Sequence, residues 1–488
     1  MLHYFILWFL KLYKFCIRVT LRRFSDLMIL KGVKLKFREF GIRLGDKKKQ
    51  PDLKPWDIDV HDPRFYRRVA VDHALGLGET YMEGWWDCDD ILELWYRFYK
   101  AGPWIPFSAR LVDWLGFVPI NRQSEELSKE VAIKHYDLGN QLFSYMLDKN
   151  MCYSCGYWAN ADNLDQAQLD KMDLIARKLK LEPGMKVLDL GCGWGGMAKF
   201  LAEKYKVSVV GYNISKEQVA YARKLCADLP VEIRMEDYRK VNEKFDRIYH
   251  IGFFEHVGRK NYRKFFELTN RCLKDDGLHL VHTIAVIDKR IITTEEWTNT
   301  YIFPGGQLPY GADLDEYSQG YFIIEDLHNF GDDYHRTLLA WHKNFNDNWP
   351  KLRNLYGEKF YRMWNYYLLH CAATFKARKL HLLQAVMSKN GVAVHDDLWK
   401  DLQDMSVGYR FLIRFRVGSA LLCLYVKPLF LLTFADNGTL IKTFSFTVKS
   451  SVTGKFAVAA IPRPLALSSS SNKRIGSLLT SLTPFSLT

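Results

Sequence analysis

Apolar and polar positions follow two different periods along this chain, and each period predicts one kind of element. Short apolar runs that are typical of buried strands lie at 187–190, 207–211, 247–251 and 278–284. Helical spacing begins near Met197 and returns over residues 262–273. Strands that alternate with helices indicate an α/β fold with a doubly wound, Rossmann-like sheet, which we assign to residues 130–400. The carboxyl ends of its strands should meet at one ligand crevice.

The chain on either side of this pattern has a different character. Residues 25–125 are rich in Trp, Tyr and Phe and predict a small, mainly helical domain. In residues 1–24, four basic side chains share one helix face opposite an apolar face. This pattern fits an interfacial amphipathic helix and an ordinary core helix with a solvated basic side equally well. Residues 418–488 are rich in Leu, Phe, Ser and Thr and show no clear hydrophobic periodicity, so we expect a tail of unknown role.

Charge and cysteine content narrow the possible partners and compartment. The net charge is +14, and residues 1–50 carry 13 Lys and Arg against three acidic residues. A basic excess concentrated at one end favours an anionic membrane surface or a basic arm over nucleic acid, which we exclude as a partner. Nine scattered cysteines favour a reduced, cytoplasmic compartment. Cys152 and Cys155 form a C-x-x-C pair without a second pair, so no metal site is expected.

A glycine-rich segment carries the clearest chemical signal. The strand at 187–190 runs through Asp189 into Gly191, Cys192, Gly193 and Gly195, and a helix follows. Such a turn brings backbone N–H groups close to a nucleotide-like ligand. The acidic residue that a dinucleotide fold places about 20 residues later is absent, which argues against NAD. A short Asp-x-Gly-x-Gly loop without a phosphate-binding Lys favours S-adenosylmethionine.

Polar groups among apolar neighbours give a second signal. Glu255 and His282 follow or end predicted strands, where a doubly wound sheet gathers its catalytic side chains. Each alone has a structural explanation, because a buried Glu can cap a helix and a strand-end His can be a satisfied core group. Together with the glycine loop, they favour a chemical role.

Six segments in the same order resemble the cyclopropane-fatty-acyl-phospholipid synthases. They are the segments at 135–140 (HYDLGN), 151–158 (MCYSCGYW), 187–196 (VLDLGCGWGG), 254–258 (FEHVG), 282–284 (HTI) and 301–306 (YIFPGG). The resemblance covers about residues 57–400. It is closer to the bacterial phospholipid enzymes than to the mycolic-acid branch, which is shorter at its N-terminus.

The resemblance implies that a methyl group of S-adenosylmethionine is added to a cis double bond of a phospholipid acyl chain. Proton loss to a bound bicarbonate then closes a cyclopropane ring through a carbocation. The catalytic positions carried over are Cys155, Glu255, His282, Ile284, Tyr334 and Cys371. The cofactor-binding positions carried over are Tyr153, Ser154, Asp189, Gly191, Cys192, Gly193, Gly195, Asn213, Ser215, Gln218 and Tyr238. Cys371 is not expected to be a nucleophile, since the reaction needs no covalent step.

Two other functions stay open at this point. One is a methyltransferase that stops at simple methylation of a lipid or another acceptor, and the other is a membrane-binding module without turnover. The resemblance leaves a homodimer open, and the lipid substrate implies peripheral association with the membrane from the cytoplasm. An inactive module should have lost its polar site residues, whereas Glu255, His282 and Tyr334 are all present.

Overall fold

The structure is a computed structural model that describes residues 25–102, 139–288 and 295–391, together with the backbone of two strands at 411–417 and 420–426. The predicted helix at 1–24 and most of the predicted linker and tail lie outside the described residues. No helix within the described ranges is long and apolar enough to cross a membrane.

Side chains cap five of the described helices at their first turn. The helices are α1 (Asp26–Glu39), α2 (Arg64–Met82), α3 (Ile91–Lys100), α4 (Asn140–Met146), α5 (Leu164–Lys178), α6 (Gly196–Tyr205), α7 (Lys216–Leu225), α8 (Tyr262–Cys272), α9 (Glu296–Tyr301), α10 (Asp313–Ser318) and α11 (Gly331–Lys376). Ser25, Asp90 and Asn163 cap α1, α3 and α5 by accepting a hydrogen bond from a backbone N–H of the first turn. Two helices are interrupted, α2 at His73 and α11 at Gly357.

A seven-stranded sheet forms the centre of the fold. The strands of the protein are β1 (Leu44–Gly45), β2 (Ile58–Val60), β3 (Trp86–Asp87), β4 (Lys186–Leu190), β5 (Ser208–Asn213), β6 (Val231–Met235), β7 (Phe245–Ile251), β8 (Leu273–Val286), β9 (Ile323–Asn329), β10 (Leu380–Ser388), β11 (Phe411–Val417) and β12 (Ala420–Val426). The order β6-β5-β4-β7-β8-β10-β9 is parallel except for β10, which pairs antiparallel with both neighbours. This confirms the predicted Rossmann-like α/β fold, and all four predicted strands are present within a few residues of their expected bounds.

The N-terminal helices share a hydrophobic core with α11. Trp86 and Trp95 belong to the same buried cluster as Trp364 and Tyr366. Tyr366 stacks against Tyr81, with ring centroids 5.6 Å apart. Because α11 also flanks the sheet, residues 25–102, the described part of the predicted helical region, pack directly onto an element of the α/β region.

Beyond residue 393, the described backbone is a single antiparallel pair. β11 and β12 pair from Phe411 with Val426 to Val417 with Ala420. This hairpin belongs to a separate compact unit.

Candidate functional site

The glycine loop between β4 and α6 has the conformation that its composition predicts. Gly191, Gly193 and Gly195 have φ values of 84°, 54° and 85°, which residues with a Cβ rarely adopt. At Gly196 the restriction is steric, because an added Cβ would lie 1.9 Å from the carbonyl oxygen of Asn150. The loop is therefore held close to the segment that precedes Met151.

A cavity of about 190 Å³ opens at this loop, at the carboxyl ends of β4, β5 and β7. Nine of the predicted cofactor-binding residues line it: Tyr153, Ser154, Asp189, Gly191, Cys192, Gly193, Asn213, Gln218 and Tyr238. Gly195 and Ser215 do not. Gly195 forms the last turn of the loop, and Ser215 caps α7 by accepting a hydrogen bond from the backbone N–H of Gln218.

Asn213 fixes one rim of the cavity. Its side-chain nitrogen donates to the Gly193 carbonyl at 3.2 Å and to Gln218 Oε1 at 2.9 Å. Its oxygen accepts from the backbone N–H of Ile214 at 2.7 Å. The end of β5 is thereby tied to the glycine loop, so the two sides of the cavity cannot move independently.

Two buried ionisable side chains line the floor of the cavity. Asp189 accepts a hydrogen bond from the Tyr249 hydroxyl at 2.7 Å, and burial raises the pKa of its carboxyl to about 7. Lys171, which is 1% exposed, donates to Ser154 Oγ at 3.0 Å. The cavity thus presents a carboxyl group and the amino group of a lysine side by side with the glycine loop.

Sequence reasoning missed several lining residues, among them Asn150, Lys171, Glu236, Asp237 and His256. Lys171 had a detectable signal. It lies on α5 in the apolar stripe formed by Met172, Leu174 and Ile175, all of which are buried. A lysine on the buried face of a helix is rare unless it is paired or functional.

Glu255 and His282 are both buried, Glu255 just after β7 and His282 near the end of β8. Glu255 Oε1 accepts from the backbone N–H of Ile284 at 2.7 Å, and burial raises the pKa of this carboxyl to about 7. His282 Nδ1 lies 3.1 Å from Gln384 Nε2, and burial lowers the pKa of the ring. Glu255 Oε2 and His282 Nε2 have no hydrogen-bond partner among the described residues. Neither residue lines the cavity at the glycine loop, which we call the cofactor cavity, although His256 does.

The remaining predicted catalytic residues lie on α11 and on the segment that faces it. Cys155 is fully buried and lies 3.8 Å from the Thr337 hydroxyl, one turn beyond Tyr334. Burial raises the pKa of Tyr334, and electrostatic interactions with Cys155, Tyr153, Glu255 and Cys371 raise it further. The structure therefore brings Tyr334 within electrostatic reach of four other predicted site residues.

The thiols of the site are protonated at neutral pH. Burial raises the pKa of Cys371 to about 12, and it raises that of Cys155 as well. A buried thiol of this kind is a poor nucleophile. The described residues contain no group of three or more His, Cys, Asp or Glu that could hold a metal ion.

Aromatic rings form the wall of the site next to Tyr153. The Tyr153 hydroxyl lies 2.8 Å from that of Tyr367, and its ring lies 5.1 Å from those of both Phe143 and Trp341. Phe303 packs against Tyr367, with ring centroids 6.0 Å apart. Such a wall excludes water and presents ring faces that stabilise positive charge.

Comparison with known proteins identifies relatives for most of the described chain. Residues 123–385 match the family described as mycolic acid cyclopropane synthetase. The chain is 46% identical over 346 residues to the cyclopropane-fatty-acyl-phospholipid synthase of Escherichia coli strain K12, a match that covers 70% of this chain and 90% of that protein. It is 34% identical to cyclopropane mycolic acid synthase 2 of Mycobacterium leprae over 53% of this chain and 94% of that protein.

Two solved structures have the same fold. The cyclopropane synthase MmaA2 from Mycobacterium tuberculosis superimposes with a TM-score of 0.51 at 31% identity, covering 54% of this chain and 98% of that chain. The mycolic acid cyclopropane synthase CmaA1, solved with SAH and CTAB, has a TM-score of 0.51 at 33% identity, with the same coverage.

Proposed function

The chain belongs to the mycolic acid cyclopropane synthetase family, and we propose that it adds a methylene from S-adenosylmethionine across a cis double bond of a phospholipid acyl chain. The observation that carries this proposal is the cavity at the glycine loop, which has a polar floor and adjoins an aromatic wall. The Escherichia coli relative supports a phospholipid substrate, since its name specifies a fatty-acyl-phospholipid.

The reaction places two demands on the protein. An alkene is a weak nucleophile, so its carbons must be held in a dry site against the methyl group. When bound, S-adenosylmethionine supplies an electrophilic methyl on a sulfonium. Asp189, Asn213 and the glycine loop would hold the cofactor, and transfer of its methyl to the alkene would leave a carbocation on the acyl chain and the thioether as leaving group. In this proposal Tyr153 and the two residues it contacts, Tyr367 and Trp341, would shield that cation and stabilise it through their ring faces.

A base must then take one proton from the added carbon, and its electron pair closes the ring. We propose that Glu255, His282 and Tyr334 hold a bicarbonate ion for this step, with Cys155 and Ile284 beside it. The buried Glu255 Oε2 and His282 Nε2 fit such an ion, because both need a hydrogen-bond partner. When bound, bicarbonate would supply a small base that accepts a proton near neutral pH.

Mass spectrometry of phospholipid acyl chains from a host that lacks this activity tests the overall reaction. Expression of the protein should add one methylene to unsaturated chains, and the product should resist mild hydrogenation better than an alkene does. A saturated methyl-branched product would instead identify simple methylation. No mass change on any lipid, with the protein folded, would reject both.

The proposed proton acceptor predicts that Glu255→Gln and His282→Ala each lower turnover by about 10²-fold or more while cofactor affinity stays nearly unchanged. The matched control is His279→Gln, since His279 is also buried on β8 but packs among Phe265, Phe266 and Phe322. Turnover of the control should stay within a few-fold of wild type. Isothermal titration with S-adenosylmethionine and single-turnover assays separate the two effects. Cofactor binding lost in step with turnover would contradict the assignment.

The pKa of Glu255 adds a pH signature. Burial raises the pKa of the Glu255 carboxyl to about 7, and only its ionised form accepts a hydrogen bond from the hydroxyl group of bicarbonate through both oxygens. Turnover in the wild type should therefore rise as pH increases through about 7. This limb should be absent in Glu255→Gln.

A substrate in a bilayer requires the enzyme to reach the membrane surface, so we propose peripheral association from the cytoplasmic side. The basic N-terminal 50 residues support an anionic surface as the partner, because each nearby Lys or Arg contributes about 1 kcal/mol before salt screening. Deleting residues 1–24 should weaken sedimentation with anionic vesicles more than with zwitterionic ones. The homodimer stays a prediction, which analytical ultracentrifugation can test.

A further inference from the structure

A second cavity, which we call the α1 cavity, lies between α1, α2 and α3. Its volume is about 370 Å³, within the range of ligand pockets in proteins. Its walls are almost entirely apolar and include Ile29, Val33, Phe37, Leu77, Trp95 and Phe98. The proposed reaction does not use it. A hydrophobic cavity of this size suits a hydrocarbon chain.

The outer face of α1 has the composition of a helix that lies on a lipid surface. Leu27, Met28 and Leu35 are 59%, 57% and 63% exposed. The spacing of four puts Lys31 on the same face, between Leu27 and Leu35. The two acidic residues of α1, Asp26 and Glu39, form ion pairs with Arg67 and Lys36. The exposed face therefore combines apolar side chains with a net positive charge, which complements anionic lipid.

The backbone of α2 is distorted at the α1 cavity. His73, which lines it, has φ 50° and ψ −123° in the middle of the helix. This conformation is unfavourable for a residue with a side chain, and such outliers concentrate where ligands bind.

We propose that the α1 cavity binds one acyl chain of an anionic phospholipid, separate from the chain that reacts, while the outer face of α1 lies on the bilayer. The site would hold the protein at the membrane during turnover. This inference rests on the proposed function for its choice of lipid as the ligand, but vesicle binding tests it without turnover.

Sedimentation with vesicles of saturated phosphatidylglycerol, which has no double bond to react, is the first test. The double variant Leu27→Ser/Leu35→Ser removes the apolar face, and Ala74→Phe fills the α1 cavity. Each should lower vesicle affinity about tenfold. The matched control is Leu355→Ser, since Leu355 is 62% exposed outside this face, and its affinity should equal that of wild type.

Photolabelling identifies the occupant. A saturated phosphatidylglycerol with a diazirine near the end of one acyl chain should label residues 69–77 and 95–98 of the full chain, and Ala74→Phe should abolish that labelling. Labelling confined to the cofactor cavity would overturn the proposal. Labelling of the α1 cavity that appears only after residues 1–24 are deleted would also overturn the proposal, because it would mean that this segment occupies the cavity in the full chain.

A third assay separates this inference from the proposed function. On a short-chain unsaturated phospholipid that stays monomeric, all these variants should turn over as fast as wild type, which also shows that they fold. Absence of turnover in the wild type would reject the proposed function and leave the vesicle comparison valid. If Leu27→Ser/Leu35→Ser and Ala74→Phe both bound vesicles as tightly as wild type, the lipid site would be rejected and the proposed function would still stand.

Discussion

The cofactor cavity and the α1 cavity are built by opposite means. Backbone conformation shapes the first, where three glycines with positive φ turn the chain and buried polar atoms cover the floor. Side chains shape the second, where apolar groups from three helices leave a space between them. A site made of backbone has no room to adjust, whereas a site made of side chains can repack. The two cavities should therefore respond very differently to small substitutions.

Gly196→Ala should have the largest effect. The added methyl would lie 1.9 Å from the Asn150 carbonyl oxygen, so the loop and the segment before Met151 must separate. We expect the affinity for S-adenosylmethionine to fall by about 100-fold or more, because loop geometry sets every contact to the ligand. Isothermal titration calorimetry measures it. The control is Gly311→Ala, whose Cβ would meet its nearest atom, Leu383 Cδ1, at an ordinary 3.6 Å and which lies outside the cavity. Equal affinities in the two variants would contradict a backbone-defined site.

Thr337→Val tests how much the contacts between α11 and the segment with Gly156 and Trp158 contribute to stability. The buried Thr337 hydroxyl accepts from the Gly156 N–H at 3.0 Å and from the Trp158 indole at 2.8 Å, so valine leaves two donors unpaired. The free energy of unfolding should fall by about 2–3 kcal/mol in urea titrations. Thr269 is equally buried but bonds only within its own helix. If Thr269→Val proved equally destabilising, the loss would reflect the missing hydroxyl and not the link to α11.

Asp189→Asn tests whether the cofactor cavity makes the free energy of unfolding depend on pH. The pKa of Asp189 is raised to about 7 in the folded protein, so its carboxyl is favoured in the neutral form and its contribution to stability is lost as pH rises through about 7. The cofactor-free variant avoids this loss. Its gain in unfolding free energy over wild type should be about 2 kcal/mol larger at pH 8 than at pH 5.5. Thermal denaturation at the two pH values provides the measurement, and a gain independent of pH would contradict the raised pKa.

Gly32→Ala should have the smallest effect and the opposite sign. Gly32 lies on α1 beside the α1 cavity, and a Cβ there meets no atom within 4 Å. Alanine should stabilise the helix by about 0.5–1 kcal/mol. A loss of stability in urea titrations would mean that the space around Gly32 is occupied in solution.

The same contrast explains how much the sequence could reveal. The glycine loop and the strand that leads into it were predictable because their residues are consecutive, so one short motif contains the whole conformation. Ser215 was assigned to the cofactor but caps α7, and Ser215 with Gln218 three residues later is a capping-box signature that the sequence already contained. The α1 cavity gave no signal, since its walls come from three helices whose apolar positions look like ordinary core.

The long helix α11 has a consequence for recombining this enzyme with its relatives. Tyr366 contacts Tyr81, Trp95 and Trp297, while the neighbouring Tyr367 reaches Tyr153 in the cofactor cavity. Arg362 donates to the Trp86 carbonyl at 2.8 Å. A chimaera that exchanged only the first hundred residues would split this interface between two parents. Grafts that carry α11 together with α1, α2 and α3 should preserve it, so the natural unit of exchange in this protein is discontinuous along the chain.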